Sequence, residues 1–153
     1  MQANEKTIET LNDLIKINND RIEGYQRAVN ETKDLDIDLK ATFERMIAES
    51  AQYKQELTEL AQKHGGDVDI DDTTTSGKIY RAWMDVKATF TGNDRKTILE
   101  SCEFGEDAAQ RAYESAMNVS EELLPEASQL IAEQQRALKV AHDLIKKYRD
   151  SHK

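Results

Sequence analysis

Two residue types able to hold a metal or move a proton fall where apolar residues are expected. Glu106 lies in the run Cys102-Glu103-Phe104-Gly105-Glu106-Asp107, four residues after Cys102 and three before Ala109. His142 stands four after Leu138 and three before Ile145. Steps of three and four put each on an apolar helical stripe. An unpaired polar group in a core costs about 1–3 kcal/mol and an unpaired charge far more. Glu106 must therefore be paired, protonated, metal-bound or reached by water. Unless one of them simply faces solvent, two outcomes are open for Glu106 with His142. One is a structural ion pair or hydrogen bond, extended to Asn18, Ser50 or Tyr53. The other is a site for a divalent metal or a proton, with Glu103 and Glu49 as further ligands.

The neighbouring residues carry blander readings. Glu103 is read as a solvated flank and Asp107 as a surface residue on the outer face. Cys102 is central on the stripe, which suits an inert buried thiol. No activating pattern supports a Cys102–His142 catalytic pair. Tyr25, Tyr53 and Tyr113 read as core aromatics. No phosphate-binding glycine loop or Ser-His-Asp order is visible, so the sequence specifies no reaction or substrate.

Long amphipathic segments must position these groups. The first runs from about Glu5 to Glu31 through Leu11, Leu14, Ile15, Ile22 and Tyr25. The second runs from about Asp36 to His64, and Gly65-Gly66 follows it where a left-handed C-cap is expected. A shorter helix over 76–90 holds Trp83, Tyr80 and Met84. The remaining two segments cover about 94–118 and 124–150, the last with Pro125 in its first turn. The fold class is all-α, a single four-helix-bundle domain over 1–153. The first and third links are short and imply antiparallel hairpins. The second link, Gly65 to Asn93, is long enough to run the length of the bundle and make helices two and three parallel. That is the single-crossover topology of ferritin-like folds. The alternative is a simple up-down bundle with the short helix on its surface.

Each stripe is interrupted by polar residues: Asn18, Ser50, Glu106, then Gln134, Gln135 and His142. Most lie near the middle of their helices, which predicts a polar layer across the core. The layer does not match a di-iron centre, which takes a Glu from each of two helices and Glu-x-x-His from each of the other two. Helix two offers Glu49-Ser50-Ala51-Gln52, and helix four offers Glu133-Gln134-Gln135-Arg136. Gln and Arg stand where His is needed, and Glu49 lies about a quarter turn off its stripe. Glu23 is further off, and Asp20 faces the opposite side.

The 153 residues carry a formal net charge of −9, with 33% charged and 6% aromatic residues. Such acidity argues against nucleic acid and anionic membranes as partners and favours solubility. One cysteine excludes an internal disulfide framework. The absence of a long apolar run or a secretory leader pattern points to a cytoplasmic setting.

Leu14-Ile15, Asp20, Glu23-Gly24-Tyr25, Gly65-Gly66, Trp83, Leu99, Cys102-Glu103-x-Gly105-Glu106-Asp107, Tyr113 and His142-Asp143 together resemble the domain-of-unknown-function 2383 family. The likeness covers about Thr7 to Arg149. It implies a bacterial, ferritin-like crossover bundle in the cytoplasm and supplies no activity. The first expectation is a non-enzymatic, stress-associated or protein-interaction bundle. It is expected to form a homodimer, with Tyr80 and Met84 beside the anchoring Trp83 either supplying the interface or packing onto the domain's own core. The second is a metal-binding or redox protein using Glu106 and His142, and the third a small-molecule binder at the polar layer.

Overall fold

The structure, a computed structural model, describes residues 2–32, 37–65 and 95–151. Four long helices account for nearly all of them: α1 (Gln2–Glu31), α2 (Ile37–Lys63), α3 (Arg95–Asn118) and α4 (Pro125–Asp150). A short 3-10 turn, Ser120–Glu122, links α3 to α4. The expected helix over 76–90, with Tyr80, Trp83 and Met84, lies outside the described residues, and so does Gly66.

A repeat of alternating four- and three-residue steps runs along every helix. In α1 it reads Thr7, Leu11, Leu14, Asn18, Arg21, Tyr25, Ala28, Thr32, and every member is buried. In α2 it reads Leu39, Phe43, Met46, Ser50, Tyr53, Leu57, with Tyr53 partly buried. In α3 it is Leu99, Cys102, Glu106, Ala109, Tyr113, Ala116, and in α4 Ala127, Ile131, Gln134, Leu138, Ala141, Ile145. A 3.5-residue average keeps one seam facing inward on slightly inclined helices. The core is therefore a stack of layers, each taking about one residue per helix. Apart from Thr7 and Thr32 at the tips of the first repeat, the members towards both ends are apolar and the polar residues lie between them.

Cross-helix contacts fix the directions. Tyr25 packs on Phe43 with ring centroids 5.6 Å apart, while Arg21 reaches Met46 and Ser50, so α1 and α2 are antiparallel. Asn18 meets Tyr113 and Arg21 meets Glu106, so α1 and α3 are antiparallel too. Helices α2 and α3 must then be parallel. Arg95 at the start of α3 duly bonds Asp38 at the start of α2. Helix α4 opposes both, through Gln134 with Tyr53 and Tyr113 and Lys63 with Glu126. The order is up-down-down-up, as a long second link requires and a simple up-down bundle does not allow.

The ends are fixed locally. Gly65 closes α2 at φ +79°, a left-handed conformation that costs glycine nothing. Pro125 opens α4. The Leu124 N–H just before it donates to Thr7 Oγ1 at 2.9 Å, which ties that corner to α1. Among the described residues, no helix is long and apolar enough to cross a membrane.

Candidate functional site

The middle of the bundle is built around Arg21. Its Nε donates to Glu106 Oε1 at 2.7 Å and its Nη2 to Glu106 Oε2 at 3.2 Å. Its Nη1 donates to Ser50 Oγ at 2.7 Å and to the Met46 carbonyl at 3.3 Å. The guanidinium also lies 5.3 Å from the centroid of the Tyr25 ring. Glu49 Oε1 sits 3.6 Å from Nη2. Both members of the Arg21–Glu106 pair are almost fully enclosed. Burial works against the charge on Arg21, but the adjoining Glu106 carboxylate outweighs it and holds the guanidinium charged. A two-bonded arginine–carboxylate pair with further acceptors meets the conditions under which a buried ion pair is tolerated.

A second chain of hydrogen bonds lies alongside. Asn18 Nδ2 donates to Tyr113 Oη at 2.9 Å, and the Tyr113 hydroxyl donates to Gln134 Oε1 at 2.7 Å. Gln134 Nε2 donates to the Tyr53 carbonyl and to Glu56 Oε1. All four helices are thereby joined at one level. Burial raises the Tyr113 phenol above its ordinary range and pushes Tyr53 up to about 12. Cys102 is fully enclosed. Burial first, and the Glu106 charge second, raise its thiol well above the usual value. Enclosure and a disfavoured thiolate both oppose a nucleophilic role for it.

The expected Glu106–His142 pair is not formed. Glu106 turns both oxygens to Arg21, and Glu49 flanks that same guanidinium. His142 belongs to another group, at the seam between α3 and α4. Its Nε2 lies 2.5 Å from Asp107 Oδ1 and its Nδ1 3.2 Å from Asp143 Oδ1. Burial disfavours the imidazolium, but Asp143 and Asp107 outweigh it and raise the His142 pKa. Glu103 is held by Arg149 Nη1. Glu103, Asp107 and His142 each present a ligand atom within 4.8 Å of the others.

The displacement has a geometric cause. From Leu138 the core step is three, to Ala141, so His142 is rotated about 100° past the seam. Glu103 and Asp107 follow the core residues Cys102 and Glu106 by one position, and Arg149 follows Tyr148. All four residues share one flank of their stripes. Antiparallel α3 and α4 bring those flanks together. Asp107 is thus a partner of His142 rather than a residue of the outer face, and Glu103 is a partner of Arg149 rather than a solvated flank. Asp20, expected to face away from the core, is buried as well.

Arg21 was the residue missing from the expected layer. Its signal was present: it continues the Leu14, Asn18, Tyr25 spacing without a break, and Glu106 demanded a cation. The core does not fit a di-iron centre, because a guanidinium fills the place between the acids and both Glu106 oxygens are engaged by it.

Fold and site together define an all-α four-helix bundle with an arginine-centred polar core. The model of the family described as domain of unknown function (DUF2383) matches residues 6–119, and the chain belongs to that family. The match takes in Arg21, Ser50, Glu103, Glu106 and Asp107. It stops before α4, short of the expected reach to Arg149, so His142 and Arg149 lie beyond it. No curated protein matches the chain.

Proposed function

We propose that this protein is a non-enzymatic, ferritin-like bundle whose polar core is structural and which binds a divalent transition-metal cation at the α3–α4 seam. One observation carries the reading: an imidazole on α4 and two carboxylates one turn apart on α3 converge within 4.8 Å. One nitrogen and two oxygens suit Zn²⁺, Mn²⁺ or Co²⁺ better than Mg²⁺ or Ca²⁺, which take oxygen ligands. Partial exposure leaves coordination positions to water. Asp143, at 3.2 Å from Nδ1, supports the ring from behind, as carboxylates commonly do for metal-bound histidines.

The ligands thus differ from the set Glu106, His142, Glu103 and Glu49. Glu103 and His142 are kept, Asp107 is added, and Glu106 and Glu49 are assigned to Arg21. Calorimetric titration with Zn²⁺ tests the reading. Binding of one ion per chain is expected, with His142→Ala weakening it at least tenfold and leaving the fold intact by circular dichroism. A wild-type chain that takes up no ion, or a His142→Ala chain that binds equally well, would refute it.

A further inference from the structure

The seam already contains a cation. Arg149 Nη1 bonds Glu103, while its Nε and Nη2 bond Asp150 Oδ1 at 3.3 and 2.9 Å. The guanidinium is therefore shared between two acids, one in the candidate metal cluster and one outside it. Glu103 is the better enclosed of the two, with 13% of its side chain exposed against 44% for Asp150. That difference favours the Glu103 seat when no metal competes for it, because a less hydrated carboxylate gains more from a partner.

A metal ion joining Glu103, Asp107 and His142 would stand within a few ångström of this charge. Like charges so close repel, and the repulsion is only partly screened at a half-buried seam. Arg149 has somewhere to go. Asp150 is its neighbour in sequence and already holds two of its nitrogens, so the guanidinium can leave Glu103 without losing its counter-charge. We propose that Arg149 is a resident competitor for the Glu103 arm of the site, and that a divalent cation binds by displacing it onto Asp150. This inference rests on the cation-binding reading above.

The displaced residue lies in the last turn of the helix that carries His142. Tyr148, beside it, lies under Arg95, with 5.8 Å from the guanidinium carbon to the ring centroid, and its hydroxyl is 3.5 Å from Thr42 Oγ1. The exchange would thus be felt at the junction of the α2 and α3 starts with the α4 end.

Zn²⁺ titration of four intact chains tests the exchange: wild type, Arg149→Gln, Glu103→Gln and the double variant. Arg149→Gln keeps the length of the arm and removes its charge, and it is expected to tighten Zn²⁺ binding about tenfold. In the Glu103→Gln background the same change should give little gain, because the contested seat is gone. Wild type that binds Zn²⁺ with the same Kd as Arg149→Gln would overturn the exchange and leave the cation reading standing. An equal gain in both backgrounds would overturn it too, since Arg149 would then act as a diffuse charge. Binding by Arg149→Gln alone would support the competition while removing native cation binding. No binding by any chain would sink both.

Discussion

Replacing Arg21 by Met tests whether the core is organised around a buried cation. The substitution removes two bonds to Glu106, one to Ser50 and one to the Met46 carbonyl. It keeps an apolar side chain in the space but leaves a carboxylate only 2% exposed without its counter-charge. Breaking a buried pair from one side costs about 3–5 kcal/mol. A domain is stable by about 5–15 kcal/mol in all, so about a fifth of the stability or more is at stake. At about 2–4 °C per kcal/mol for this size, the melting temperature falls by about 6–20 °C. Adding Glu106→Gln removes the orphaned charge and should restore about 2 kcal/mol. Urea unfolding followed by circular dichroism at 222 nm reads all three variants against wild type. Arg21→Met within about 1 kcal/mol of wild type, or a double variant as unstable as the sum of the singles, would show that the pair is not enclosed as described.

Two further outcomes follow from the same core. Burial raises the Tyr53 phenol to about 12 and raises Tyr25 and Tyr113 as well. An unfolded tyrosine ionises near about 10, so above that pH the unfolded chain holds fewer protons than the folded one. The stability these groups contribute is complete below about pH 10 and is lost as pH rises towards their folded values. Tyr53→Phe should flatten part of the fall in urea midpoint between about pH 10 and 12, and a fall identical to wild type would contradict the assignment. Cys102 should be inert to a disulfide reagent such as Ellman's in native buffer and react stoichiometrically in urea, because its thiol is enclosed and its thiolate disfavoured. Rapid reaction of the folded chain would count against that.

Much of the architecture could be read before any coordinates. Steps of three and four residues set the helices, the lengths of the links set which pairs run antiparallel, and Gly65 marked the end of α2. Asn18, Ser50, Glu106 and Gln134 located the polar layer, since each interrupts an apolar stripe near mid-helix. Glu106 was also legible as a group in need of a partner. The partner itself was not. Arg21 occupies a core position in the repeat, yet a long charged side chain is expected at the surface unless an acid elsewhere is known to meet it. His142 could be placed on the core stripe or just off it, since steps of three and of four both fit helical spacing.

The amino-acid order therefore determined which faces turn inward and at what depth polarity enters the core, because helical periodicity and burial are local consequences of residue type. The relative rotation and packing of the helices decided the rest. A turn of about 100°, one residue, separates Glu106 from Asp107 and Ala141 from His142. Only the packed bundle shows that the first acid faces Arg21 across the core while the second meets the imidazole at the α3–α4 seam.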